Sequence, residues 1–409
     1  MTPLLTRRQA LHSLAACGLL AGAVKPAVAF ASQSTSGKAA DRDGKFARAL
    51  QLIDEEFQAG TFPGALLAVS RHGSPALEKQ WGTYLSRQEP DVPCDGQMVN
   101  MLYSVSKLVA STVIVMARQM GKFDFDTPVA KLVSGFEGGG KEAITLRHLL
   151  THSAGLPNVP LKAVGSEEQW QTALGALCAA KVDWEPGSRC AYHGLTAHFL
   201  AAHVVRSALG MKPWNEICQE LLFDPIGAKS LSYAMPPADA PLAVTPQPAD
   251  RKYNPASFEQ NILGHPAGGA FGNAGDLLKL LQLHLNRGLW QGKRLIDEEA
   301  LAQMHTVQYA RQIEDSVSAG KPAAHQSWGL GILLRGNGPV DGGHGWFGMA
   351  GVTDGRVFGH AGIDTIIAVA DPQRDAALVF LTTDAPKPPA KTPELRSGVV
   401  ARVLAAVGS

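Results

Sequence analysis

The chain has 409 residues, 45% of them hydrophobic and 18% charged, with a formal net charge of +1. That is a globular composition, long enough for two regions around a sizeable core. The near-neutral balance argues against a nucleic acid or an anionic membrane surface as partner, and no apolar run is long enough for a membrane span.

The N-terminus stands apart. Arg7 and Arg8 precede an apolar run that ends in small residues at Ala29 and Ala31, and no acid occurs before Asp41. Residues 1–31 resemble a twin-arginine export signal. That resemblance implies the twin-arginine export machinery as a partner and a periplasmic or secreted location. Removing residues 1–31 takes away three positive charges, Arg7, Arg8 and Lys25, and brings the net charge from +1 to −2. Leu14 to Cys17 also look like a lipoprotein cleavage box, but the apolar run continues past Cys17, which ranks lipidation lower. Residues 32–43 are small and polar and read as a linker. Cys94, Cys178, Cys190 and Cys218 follow; they allow three pairings, and the sequence does not choose among them. Cargo of the twin-arginine route folds in a reducing compartment, so the fold is not expected to depend on disulfides.

Further along, Phe46, Leu50, Ile53 and Phe57 fall on one face of a predicted helix. "GALLAVSRHGSPALEKQWGTY" reads as two strands joined by a turn at His72-Gly73. A largely apolar helix follows in "NMLYSVSKLVASTVIVMARQMGK". "TLRHLLTHSAGLP" is a short helix stopped by Gly155 and Pro157, and Ser166 is a plausible N-cap for the next one. "LTAHFLAAHVVRSALG" ends in Gly210, a plausible C-cap, and "GNAGDLLKLLQLHLNRG" is another amphipathic helix. "WGLGILLR", "GRVFGHAG", "DTIIAVADP" and "DAALVFLTT" have strand composition, and "PELRSGVVARVLAAV" closes the chain as a helix.

Strands at both ends and helices in the middle predict an α/β (α+β) fold. One antiparallel sheet would be built from residues 44–100 and 290–409 and flanked by helices, with a mainly helical region, 101–289, inserted. The cleft between the two regions is the expected small-molecule site.

Ser104 and Lys107 share a face at the start of the apolar helix, because residues i and i+3 lie about 5–6 Å apart at Cβ. Desolvation by Leu102, Val105 and Leu108, together with the positive end of the helix dipole, disfavours the ammonium form of Lys107. A neutral amine beside a hydroxyl can take its proton, which activates a nucleophile without histidine. As a bare pattern S-x-x-K is weak. Two further segments strengthen it. "EPGSRCAYHGLT" places Tyr192 in a Pro-Gly-bounded loop, and "VFGHAG" places His360, Ala361 and Gly362 on a late strand.

In that order, these three motifs resemble the penicillin-recognising serine hydrolases: class C β-lactamases, D-alanyl-D-alanine carboxypeptidases, D-aminopeptidases and family VIII esterases. The resemblance runs from about Phe46 to Thr383. It implies a β-lactamase/transpeptidase-like fold and a small-molecule ester, β-lactam or D-amino-acid peptide as substrate. No cofactor and no metal are called for. Ser104 matches the acylated nucleophile, Lys107 the lysine that eases its deprotonation, and Tyr192 the tyrosine of Y-x-N that relays protons. His360 and Gly362 match the ends of the K-T-G box in its H-x-G form. The backbone N–H groups of Ser104 and Ile363 would form the oxyanion hole. The resemblance leaves open whether Lys107 or Tyr192 is the base, and the two are expected to titrate as a coupled pair.

Two departures bear on substrate. Gly194 stands where Y-x-N has the Asn that bonds a substrate amide and the catalytic lysine. His360 stands where K-T-G has lysine, and its charge depends on pH. A site relying on His360 to hold a substrate carboxylate should weaken as pH rises. Both departures favour esters or D-peptides. The expected function is a serine acyl-hydrolase acting on small esters, with β-lactamase or D-peptidase activity as the alternative. The loss of the Asn also admits a non-catalytic peptidoglycan binder, against which the retained Ser104, Lys107, Tyr192 and H-x-G box argue.

Other patterns read as structural. "THSAG", Thr151 to Gly155, nears a nucleophile elbow but lacks its first glycine and a leading strand. His148 and His152 have zinc-helix spacing without the following Glu, and His198 and His203 face different ways. Trp328, Trp346 and Phe347 could line a cleft, but packing is at least as good a reading. The glycine-rich Gly338–Gly355 stretch fits a loop over the cleft better than a phosphate cradle.

Overall fold

A computed structural model describes residues 44–159, 164–244, 262–309, 327–337, 347–363 and 365–408. The export-signal reading, Cys17, Trp346 and part of the glycine-rich stretch lie outside the described residues. Among the described residues the strands are β1 (Gly64–Arg71), β2 (Ser74–Tyr84), β3 (Val92–Pro93), β4 (Asn100–Met101), β5 (Phe271–Gly272), β6 (Leu289–Trp290), β7 (Lys293–Arg294), β8 (Ser327–Trp328), β9 (Leu333–Leu334), β10 (Phe358–Gly362), β11 (Ile366–Asp371) and β12 (Ala376–Thr382). Eight of them form a central antiparallel sheet in the order β3-β2-β1-β12-β11-β10-β9-β8, while β4 pairs with β5 and β6 with β7. The first and last strand groups meet where β1 pairs with β12 from Ala65↔Thr382 to Arg71↔Ala376. The sheet therefore comes from both ends of the chain, as expected. His72 (φ 52°) and Gly73 (φ 71°) make the β1–β2 turn with two left-handed residues, the geometry that matches strand twist.

Both faces of the sheet are covered. Leu66, Ala68, Ala368, Val379 and Leu381 pack toward helices α2 (Ser106–Arg118), α3 (Leu146–Leu150) and α5 (Thr196–Ala208), together with the Ala274–Leu285 helix. Ala65, Leu67, Val69, Ile367, Val369, Leu378 and Phe380 point the other way, toward α1 (Ala47–Gln58) and the C-terminal Thr392–Gly408 helix. Alternate residues thus enter alternate cores, which is why these strands read as unbroken apolar runs.

Helix α2 runs through the first core with every residue from Ser106 to Ala117 buried. Its buried Leu, Val, Ile and Met side chains each contribute roughly 1.5–3 kcal/mol. Its polar residues are pinned: Ser111 Oγ lies 3.0 Å from His198 Nε2 on α5, and Thr112 Oγ1 lies 2.9 Å from His284 Nε2 on the Ala274–Leu285 helix. Ser166 caps α4 (Glu167–Ala179) in a capping box with Gln169. Cys94, Cys178, Cys190 and Cys218 are all unpaired thiols.

Candidate active site

Ser104 does not lie on α2 itself. It sits in a 3₁₀ turn, Tyr103–Val105, that feeds the helix, whereas the sequence reading put it in the helix's first turn. In a 3₁₀ turn side chains at i and i+3 eclipse, so the S-x-x-K spacing still brings the pair together. Tyr103, just before the serine, has φ 45°, a left-handed value unusual for an aromatic residue. Such backbone strain concentrates at functional sites.

Three side chains converge here. Tyr192 donates its hydroxyl to Ser104 Oγ at 2.9 Å, and Lys107 Nζ lies 3.3 Å from the same oxygen. On its far side Lys107 Nζ donates to the carbonyl of Ala267 at 2.9 Å. Lys107 is fully buried, and desolvation pulls its amine down from 10.5 to about 7. Burial pushes the Tyr192 phenol above its ordinary value, partly opposed by its bond to Ser104. Near neutral pH the tyrosine is therefore protonated while much of the lysine is free amine. Protons can then point one way, from Tyr192 to Ser104, from Ser104 to Lys107, and from Lys107 to Ala267.

The loop carrying Ala267 is held against α2 by Tyr233, whose single hydroxyl proton is shared between the carbonyls of Ser106 (2.8 Å) and Pro266 (3.2 Å). Ser106 Oγ accepts from Ala270 N at 3.0 Å. Gly269 is required in this loop, because a Cβ there would meet Ile262 O at 2.0 Å. Tyr192 is backed by rings: Trp328 stacks on it at 5.8 Å, Phe347 meets it edge-on at 5.7 Å, and His152 lies at 4.9 Å. Trp328 and Phe347 are only 1% exposed, so they pack behind the site and do not line a cleft.

His360 departs from expectation. It is fully buried, and its Nδ1 donates to Ala361 O at 2.8 Å. Its ring lies 5.1 Å from Phe347 and 6.3 Å from Tyr192. Burial, reinforced by the positive charge of Lys107, lowers it to about 3. It is neutral across the physiological range and does not provide the pH-dependent cation that its place in the H-x-G box suggests.

Gly362 ends β10 against the nucleophile turn. A Cβ there would meet Leu102 O at 2.6 Å and Tyr103 Cβ at 3.2 Å, so glycine is what allows the approach. Ile363 follows with its side chain exposed. Gly194 donates its N–H to Asn158 Oδ1 at 3.0 Å, and a Cβ on it would find only that oxygen, at 3.8 Å. Gly194 is not among the residues with positive φ, so the backbone does not demand glycine there.

The family model described as Beta-lactamase matches residues 49–401. The chain belongs to the Beta-lactamase family. The Esterase/beta-lactamase LipL of Mycobacterium tuberculosis is 29% identical over 202 residues, 49% of this chain and 46% of that protein. The match thus spans about half of that relative. A penicillin-binding protein homolog from Caulobacter crescentus superposes with TM-score 0.69 at 21% identity, over 88% of this chain and 97% of that one. A family VIII carboxylesterase does so with TM-score 0.67 at 20% identity, over 88% and 97%. At these identities the two solved structures speak to the fold, which is that of the β-lactamase and penicillin-binding proteins.

In this Beta-lactamase-family chain the rival patterns resolve into structural parts. His148 Nδ1 accepts from Thr145 N in the α3 capping box, and His152 Nδ1 accepts from His193 N. Ser153 Oγ lies 2.9 Å from Thr151 Oγ1 in a buried turn. Among the described residues, Ala267, Tyr233 and Ser106 are the participants that sequence reasoning missed. The glycines of "PAGGAFG" were the available signal.

Proposed function

We propose that this protein is a serine acyl-hydrolase that works through a covalent acyl-enzyme on Ser104, with small esters as preferred substrates. The observation that carries the reading is the Tyr192–Ser104–Lys107 chain, at 2.9 and 3.3 Å around one hydroxyl oxygen. As Ser104 Oγ attacks the ester carbonyl, its proton passes to the Lys107 amine. The tetrahedral oxyanion is bound by the N–H groups of Ser104 and Ile363. Collapse breaks the ester C–O bond. Tyr192 protonates the departing alkoxide and is reprotonated from the Lys107 ammonium. Water then repeats the sequence on the acyl-enzyme, giving the acid and free Ser104. Lys107 rather than Tyr192 serves as the base, because burial lowers the amine to about 7 and raises the phenol.

Two features support esters. Gly194 offers no side-chain amide to a β-lactam or peptide substrate, and leaving such a buried group unpaired costs roughly 1–3 kcal/mol. The buried, neutral His360 is no anchor for the carboxylate that those substrates carry. β-Lactam turnover is the second reading, since the LipL name joins both activities. The arginine pair and apolar run of residues 1–31 support export by the twin-arginine route to the periplasm or beyond.

A turnover panel of p-nitrophenyl esters, nitrocefin and D-alanyl peptides tests the preference. kcat/KM on a short-chain ester should exceed that on nitrocefin by about 5- to 150-fold, as roughly 1–3 kcal/mol requires. Equal values would make the protein better described as a β-lactamase.

A further inference from the structure

We infer that Arg396, on the C-terminal helix, is a positioning residue for the oxyanion hole: its guanidinium holds the Gly362 carbonyl and thereby aims the Ile363 N–H. The inference rests on the role given to Ile363 above. Arg396 is 3% exposed and donates from Nη2 to Gly362 O. The carbonyl oxygen and the next N–H belong to one planar trans peptide and point in opposite directions. Drawing Gly362 O toward the C-terminal helix turns the Ile363 N–H away from it. That helix packs on one face of the sheet and α2 on the other, so the N–H is turned toward the side that carries Ser104.

The same peptide is constrained from the serine side. Gly362 sits so close to Leu102 O and Tyr103 Cβ that an added methyl group would collide with them. The 362–363 peptide is therefore held between a cation and the nucleophile turn. A charge-assisted hydrogen bond is about twice as strong as a neutral one. It also polarises the peptide, making its N–H a better donor to a developing oxyanion. The Arg396 charge is felt on this strand, where it helps keep His360 neutral.

The test compares wild type, Arg396→Met and Arg396→Lys on an uncharged p-nitrophenyl ester and on a matched ester bearing a carboxylate. A fluorophosphonate counts active Ser104, and a boronic acid reports affinity for a tetrahedral adduct. Removing an oxyanion donor outright costs about 10²–10³ in kcat. Misaligning one should cost R396M about 10-fold or more in kcat per labelled site, with KM within about 2-fold and boronate affinity falling in parallel. R396K should lie between R396M and wild type. If R396M does not fold, R396K alone should show kcat and boronate affinity falling together by about 3–10-fold. Unchanged kcat and boronate affinity in the folded variant would overturn the inference. So would a loss confined to KM for the carboxylate ester, which would make Arg396 a substrate anchor. Folded wild type that the fluorophosphonate does not label would sink the serine-hydrolase reading first, and this inference with it.

Discussion

Replacing Lys107 with Met should slow the enzyme and stabilise it at the same time. Lys107 is fully buried, and the fall of its amine from 10.5 to about 7 is caused by desolvation. At about 1.4 kcal/mol per pH unit, that fall corresponds to about 5 kcal/mol spent holding an ammonium in the core. Below about pH 7 the folded and unfolded chains both carry the proton, and the full cost is present. Between about 7 and 10.5 the unfolded chain is protonated and the folded chain is not, so unfolding free energy rises with pH across that window. Met has similar bulk and no charge. It forfeits the bond from Nζ to Ala267 O and leaves that carbonyl unpaired, a loss of roughly 1–3 kcal/mol. The net gain at pH 6 should be about 2–4 kcal/mol, and it should vanish by pH 10. Urea unfolding of both proteins at the two pH values reads the difference. kcat on an ester should meanwhile drop roughly 10²–10⁴-fold. Wild-type kcat/KM should climb about tenfold per pH unit up to about pH 7 and then level, and the variant should lose that acid limb. A variant no more stable than wild type at pH 6, or one that keeps the acid limb, would refute the reasoning.

Three further outcomes are expected. Tyr192→Phe keeps the ring stack on Trp328 but removes the proton shuttle; kcat should fall by roughly 10²–10⁴ with little change in melting temperature. Near wild-type kcat in that variant would remove Tyr192 from the mechanism. Gly362→Ala puts a methyl group 2.6 Å from Leu102 O, which must push β10 from the Ser104 turn. A displacement near 1 Å costs about 10²-fold in rate, and steady-state kinetics on a folded variant would show it. Gly194→Asn has room for its side chain and no left-handed φ to oppose it. The ratio of nitrocefin to ester kcat/KM should rise about tenfold, and an unchanged ratio would separate substrate choice from that position.

The central strands β1, β11 and β12 were readable because they are strongly apolar runs bounded by turns, and the β1–β2 hairpin because two strand-like runs flank the two residues His72-Gly73. By contrast, "WGLGILLR" reads as one strand and the structure splits it into β8 and β9. Strand order was not. Residues Ala65 to Val69 are buried on both faces, so no polar alternation marks which neighbour each strand meets. Ser104 and Lys107 could be paired from spacing alone, yet that spacing fits an α-turn and a 3₁₀ turn equally, and the structure has the second. The burial of His360 was not legible, because it is made by the rings of Phe347 and Trp328, which no local pattern around His360 announces. Arg396 left no local pattern and the Ala267 carbonyl only the glycines beside it, since each acts through a contact far away in sequence.

The central claim is a covalent acyl-enzyme on Ser104, and intact-protein mass spectrometry of a quenched ester reaction tests it most directly. Wild type mixed with a slow-turnover ester and quenched in acid should gain the mass of the acyl group. Peptide mapping should place that group on Ser104, and Ser104→Ala should show neither the mass gain nor turnover. Turnover without any acyl adduct, or an adduct on another residue such as Ser153, would contradict the account.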